Sequence, residues 1–165
     1  MQIQFKLLAN AIRRFDIQVK SVVEAGARDC RESLDFRATY PNAEIIAFEC
    51  DPNCIPVCKE NIRGTKIKLI EKAVSDSTGE AEFHVSPESG SSSLLGSIYS
   101  TANKTTVPMT RLIDELAEAP TVLWLDAEGG ELGILKGCGE MIRDVSIVNT
   151  CTSSICFKSR KIISE

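Results

Sequence analysis

The run Ser21-Val22-Val23-Glu24-Ala25-Gly26-Ala27-Arg28-Asp29 constrains the fold of this chain more than any other stretch. β-Branched residues lead into an acid, a glycine follows two positions on, and a helical pattern starts just beyond. Valine is stiff at χ1 and suits a pleated, buried surface. Glycine permits the sharp turn by which a strand enters a helix. Strands that turn directly into helices build parallel α/β sheets, whose ligands sit beyond the carboxyl ends of the strands.

The rest of the chain repeats that rhythm. Strands are expected over 19–24, 44–49, 66–70, 121–125 and 144–148, and helices over 31–40, 53–62, 110–116 and 131–142. Asp51-Pro52 reads as a helix cap and first turn, Pro41 and Gly64 as stops, and Gly137 as a residue suited to a helix end. Residues 76–109 break the rhythm. They read as an antiparallel insertion, with strands near 80–85 and 105–109 around a serine-rich loop at 86–93 that acts as a lid or substrate loop. Ahead of the sheet, Ile3, Leu7, Leu8, Ala11, Ile12 and Phe15 form one apolar face of a helix within 1–18, expected to pack on the sheet. The tail, 150–165, has no pattern. The whole reads as one domain, 1–165, with a mostly parallel Rossmann-like sheet covered by helices on both faces and an incomplete C-terminal edge.

The first turn argues against a phosphate ligand. A dinucleotide fingerprint has three glycines so that backbone can approach a pyrophosphate. Here Gly26 stands alone, and Asp29 falls at the third-glycine position, where it would repel an anion. S-adenosylmethionine carries an amino group, a carboxylate and a sulfonium cation, and Glu24 and Asp29 suit its positive charges. On this stretch alone, a plain capped turn is an equal reading. Glu49, at the end of the second strand, shifts the balance, since a carboxylate there can accept both hydroxyls of a ribose. Ala73 and Val74, after the third strand, are small and apolar enough to wall an adenine. Asp126, Glu128 and Glu131 crowd the end of the buried strand 121–125. Carboxylates in such a place are costly unless used, and one could orient or deprotonate a hydroxyl. A hard cation is a rival ligand for that pair, but no histidine or further acid cluster supports one, so no metal site is assigned.

These residues together resemble the FkbM family of S-adenosylmethionine-dependent methyltransferases over about 19–148. The resemblance rests on ordered short elements: Val-Val-Glu-Ala-Gly-Ala, Ala-Phe-Glu-Cys-Asp-Pro with Asn61, Lys-Ala-Val-Ser-Asp with Gly79, Ser91-Ser92-Ser93-Leu94, Met109 to Asp114, and Leu-Asp-Ala-Glu-Gly-Gly-Glu with Leu135-Lys136-Gly137. It implies a class I methyltransferase fold and methyl transfer to a hydroxyl of a sugar or other small or glycan-linked acceptor. It implies that Glu24, Gly26, Glu49, Ala73 and Val74 line the cofactor, and that Asp126 and Glu128 face the reacting end. The chain departs from the family pattern at Asp29, at Trp124 in place of a common lysine, and beyond Val148. The alternatives are an NAD-linked oxidoreductase, disfavoured by the missing glycines, and a non-catalytic remnant that binds cofactor or partner.

Composition sets the remaining bounds. Net charge is −4 with scattered basic residues, which does not suggest nucleic-acid binding. No apolar run approaches the ~20 residues of a membrane span, and seven cysteines without a secretory pattern point to a reducing, cytoplasmic setting. Cys50, Cys54 and Cys58 share one helical face but match no usual metal spacing, so they read as packing thiols. His84 and the pair Arg13-Arg14 read as solvated. An exposed sheet edge would favour a homodimer.

Overall fold

The computed structural model describes residues 3–86, 92–95, 103–150 and 155–157. Helix α1 (Ile3–Arg14) precedes β1 (Ser21–Ala25), α2 (Arg31–Thr39), β2 (Glu44–Phe48), α3 (Ile55–Asn61) and β3 (Ile67–Ile70). Three strands follow, β4 (Ala73–Val74), β5 (Gly79–Val85) and β6 (Asn103–Thr110), then α4 (Leu112–Glu115) and β7 (Val122–Leu125). Helix α5 (Glu131–Gly137), a 3-10 turn (Gly139–Arg143), β8 (Ile147–Thr150) and β9 (Ile155–Phe157) complete the order.

The main sheet runs β3-β2-β1-β7-β8-β9. Its first five strands are parallel, and β9 is antiparallel to β8, with Ile147 opposite Phe157. The chain leaves β1 toward β2 and β3, then returns to place β7 on the other side. That reversal opens a crevice above β1 and β7, the expected ligand position in such a sheet. The expectation of an incomplete C-terminal edge needs correcting in one respect: the apolar triplet Ile155-Cys156-Phe157 supplies an antiparallel edge strand. The rest of the tail, 151–154 and 158–165, lies outside the described residues, as does 87–91 of the serine-rich loop.

Alternation along the strands divides the core. Val22, Trp124 and Ile147 face α1 and α2, where they meet Phe5, Leu8, Ile12 and Phe36. Val23, Phe48, Leu123 and Leu125 face the other way, against Ile134 and Cys138 of α5 and its end. Trp124 is therefore a core residue, edge-on to Phe36 at 5.7 Å between ring centroids. Helix α1 does pack on the sheet, through a stripe rotated from the expected one: Leu8 and Ile12 of the expected face are buried together with Phe5, while Ile3, Leu7 and Phe15 are exposed. The reason is tertiary: Phe5 sits 4.8 Å from Phe36, edge to face, and that aromatic contact sets the helix rotation.

The insertion forms a second, three-stranded sheet of order β4-β6-β5. Strands β5 and β6 are antiparallel, as expected, but β6 also runs parallel to β4, pairing Ala73 with Met109 and Val74 with Thr110. The small sheet thus begins at the residues that follow β3. Its apolar side, Phe83, Val85 and Val107, packs against Cys50 and Leu94. Helix α5 closes on the same region: a Cβ on Gly137 would lie 2.0 Å from the Ser75 carbonyl oxygen. That contact, more than a helix end alone, requires glycine there.

Candidate active site

The carboxyl ends of β3, β2, β1 and β7 open into one cavity of about 920 Å³, its mouth included. The turn after β1 forms its floor. Gly26 and Ala27 both donate their N–H groups to the Phe48 carbonyl, each at 3.0 Å. Gly26 has φ +86°, and a Cβ there would stand 1.9 Å from the Asp126 carbonyl oxygen. Gly26 is thus what lets the β1 and β7 turns touch. Two further residues of this turn are left-handed without being glycine, Arg28 at φ 50° and Cys30 at φ 58°. The glycine-favouring backbone positions are therefore Arg28 and Cys30, on either side of Asp29, the residue at the third-glycine position of the fingerprint. Asp29 instead serves α2: its Oδ1 accepts the Arg31 N–H at 3.3 Å, and its Oδ2 lies 3.6 Å from the Arg31 guanidinium.

Glu49 is held from three sides. Its Oε1 accepts the N–H groups of Cys50 and Asp51, both at 2.7 Å, and its Oε2 accepts that of Arg28 at 2.6 Å. Burial raises its pKa, while those three N–H groups pull the other way. A carboxylate offers about four acceptor positions, so capacity remains for a ligand hydroxyl. Glu49 lines the cavity.

Glu24 and Asp29 do not line it. Glu24 is 1% exposed and turns under α2, where Ser33 donates to its Oε2 through the backbone N–H at 3.0 Å and through its hydroxyl. Desolvation raises the Glu24 pKa well above that of an ordinary carboxyl. The structure places it behind the cavity wall, where it fixes the first turn of α2. That turn presents Glu32 to the cavity instead. Sequence reasoning missed Glu32. The available signal was its place in the first turn of the helix that leaves the crevice.

The lining residues follow the strand order. Ala73, Val74, Phe83 and Leu94 sit on the β3 side with Cys50, forming an apolar wall. Glu49 and Asp51 come next, then Gly26 to Arg28, then Asp126 to Glu128. Three strand spacings of ~4.8 Å separate the two ends. Glu32, Asp126 and Glu128 make the far end acidic. Glu128 is exposed at the mouth with φ 48°, and burial and then the Asp126 charge raise its pKa. The third acid of that cluster is accounted for locally. Glu131 Oε1 accepts the N–H groups of Ala127 at 3.1 Å and Gly129 at 3.4 Å, capping the turn into α5.

The described end of the serine-rich loop spans the cavity. Ser92 donates its hydroxyl to Asp51 Oδ2 at 2.7 Å, and Ser93 donates to the Glu128 carbonyl at 3.0 Å. Of the remaining candidates, Cys50 and Cys54 line the cavity, and burial raises Cys54 to about 12 and Cys50 further. Cys58 is fully buried, with its thiol donating to the Arg28 carbonyl at 3.1 Å. His84 stays on β5, with its Nε2 3.4 Å from Glu82. Among the described residues, no group of three His, Cys, Asp or Glu could hold a metal ion.

A doubly wound sheet of this order with its crevice at the carboxyl ends of β1 and β7 has the class I methyltransferase fold. Solved structures show the same fold. An FkbM methyltransferase from Methylobacillus flagellatus superimposes with a TM-score of 0.59 at 15% identity, covering 80% of this chain and 32% of that one. A precorrin-6y C5,15-methyltransferase from Geobacter metallireducens gives 0.53 at 15% identity, over 88% and 60%. Residues 24–159 match the methyltransferase FkbM domain, and the chain belongs to that family. It is also 27% identical over 149 residues to the 2-O-methyltransferase NoeI of Sinorhizobium fredii, covering 78% of this chain and 61% of that protein. The cofactor of FkbM and class I methyltransferases is S-adenosylmethionine. The donor set fits it, and the nicotinamide alternative is set aside.

Proposed function

We propose that this chain transfers a methyl group from S-adenosylmethionine to a hydroxyl oxygen of a sugar or glycan-linked acceptor. The observation that carries the reading is the order of chemistry across the cavity. Apolar residues suit a base, Glu49 a ribose hydroxyl, and the Glu32–Asp126–Glu128 end a sulfonium and an ammonium. The likeness to a 2-O-methyltransferase supports oxygen as the acceptor atom.

When bound, the cofactor supplies an electrophilic methyl group. The protein's part is placement, which accounts for much of the rate in a direct displacement. Ala73 and Val74 wall the adenine, Glu49 accepts from the ribose, and Gly26 keeps the floor low. Asp126 accepts a hydrogen bond from the acceptor hydroxyl and aims its oxygen, while Glu128 takes up the proton at the mouth. Glu24 and Asp29 act from outside the cavity by holding α2. The chain works as one domain, in a cytoplasmic setting that keeps its thiols free, and a second copy pairs through an outer strand of the main sheet. No described helix is long and apolar enough to cross a membrane.

The test is transfer of labelled methyl from S-adenosylmethionine to a panel of mono- and oligosaccharides. Asp126→Asn should lower turnover more than S-adenosylhomocysteine affinity. Equal losses in both would remove Asp126 from the acceptor end, and label on nitrogen or carbon acceptors alone would overturn the hydroxyl assignment.

A further inference from the structure

The acidic end of the cavity suits the sulfonium and the ammonium of S-adenosylmethionine, but it repels the α-carboxylate carried by the same part of the molecule. Glu32, Asp126 and Glu128 all line that end. An anion entering among them requires a cation within reach. Two cations line the cavity among the described residues, Arg28 and Lys72. Lys72 follows β3, on the apolar side, and its Nζ lies 2.6 Å from Glu115. Arg28 follows β1, beside the acids, and its charge acts on Glu32 and Glu128.

The backbone of Arg28 is fixed more firmly than its side chain. Its N–H donates to Glu49 at 2.6 Å, and its carbonyl accepts the Cys58 thiol at 3.1 Å. Those two bonds tie the residue to the carboxylate assigned to the ribose and to α3. The guanidinium is nearly half-exposed. Among the described residues its ion pair is a loose 3.9 Å approach to Asp29, which Arg31 approaches more closely at 3.6 Å. The side chain is thus anchored at its base and available at its tip.

We propose that Arg28 is a cofactor-binding residue whose guanidinium holds the α-carboxylate of S-adenosylmethionine. Neither the family resemblance nor the comparisons assign position 28 a role. The inference rests on the S-adenosylmethionine reading and adds the group that reads the amino-acid end. Guanidinium suits this task because its planar fork matches a carboxylate in two hydrogen bonds.

The test compares two ligands by calorimetry, S-adenosylhomocysteine and 5′-methylthioadenosine. Both carry the adenosine and a thioether, but only the first has the carboxylate. Arg28→Gln removes the charge, keeps an unbranched polar side chain and does not change the left-handed backbone requirement. It should weaken S-adenosylhomocysteine by roughly tenfold, the scale of a charged hydrogen bond discounted for exposure. Binding of 5′-methylthioadenosine should stay within about twofold, and Arg28→Lys should recover part of the loss, as expected for a charge contact. An equal loss for both ligands would make Arg28 a merely structural residue, and unchanged S-adenosylhomocysteine binding would remove it from the site. A parent protein that binds neither ligand would instead overturn the cofactor reading.

Discussion

Replacing Gly26 by alanine should damage the fold and the cavity together, and the structure separates the two reasons. The first is backbone. Gly26 holds φ +86°, and a non-glycine residue in left-handed space costs about 1–2 kcal/mol. The second is contact. The added Cβ would lie 1.9 Å from the Asp126 carbonyl oxygen and 2.8 Å from its carbon, whereas ordinary contact begins near 3.4 Å. Relief requires the β7 end to retreat by well over an ångström. That movement breaks the Asp126 N–H bond to the Ala25 carbonyl or the paired Gly26 and Ala27 bonds to Phe48, all 3.0 Å long. One or two lost backbone bonds add about 1–3 kcal/mol, for a total of about 2–5 kcal/mol. In a domain of this size that is a fall in Tm of roughly 4–20 °C. Gly64 supplies the control, with φ +75° and nothing within 4 Å of its added Cβ. Gly64→Ala should show the backbone cost alone, about 1–2 kcal/mol. The assay is thermal unfolding by far-ultraviolet circular dichroism, with S-adenosylhomocysteine calorimetry on each variant. Equal losses in the two variants would refute the contact argument, and intact ligand binding by Gly26→Ala would refute its place in the floor.

Three further changes have defined outcomes. Glu49→Ala should weaken S-adenosylhomocysteine at least about tenfold, since it removes a ligand acceptor and the brace on three N–H groups; an unchanged Kd by calorimetry would end the ribose assignment. Burial raises the Glu24 carboxyl in the folded chain, so folding favours its protonated form. That stabilisation is complete below the ordinary value of 4.5 and is lost as pH rises through the raised one. Glu24→Gln should therefore gain on the parent progressively as pH rises from 4.5 to the raised value and hold that margin above it, and Tm-versus-pH curves that run parallel throughout would contradict it. Asn149 is 1% exposed, and neither its amide nitrogen nor its oxygen has a partner among the described residues. Asn149→Leu should raise stability by about 1–2 kcal/mol in urea titration, the cost of an unsatisfied buried amide; destabilisation would mean that the amide is satisfied in solution.

The strands were readable in the sequence because parallel strands buried on both faces are near-continuous apolar runs. Val22-Val23, Ile45-Ile46 and Val122-Leu123 admit few other readings. The cavity-lining acids Glu49 and Asp126 were readable because each stops such a run, which is where the crevice opens. The rotation of α1 was not. Two apolar stripes compete on that helix, and Phe36, distant in sequence, selects the one bearing Phe5. Glu24 misled because a strand-end acid can turn either way, and only Ser33 on α2 shows which. Cys30 was hidden because nothing about a cysteine signals a left-handed backbone; the position is defined by the turn, not by the residue filling it.

The burial of Trp124 between Phe5 and Phe36 has an optical consequence. It is the chain's one tryptophan, 3% exposed, and it belongs to the core face covered by α1, away from the ligand cavity. Its emission should lie at short wavelength and stay there when ligand enters. Lifting α1 from the sheet would wet the ring and move the emission to the red. The molecule thus carries its own fluorescent gauge of whether its first helix is seated.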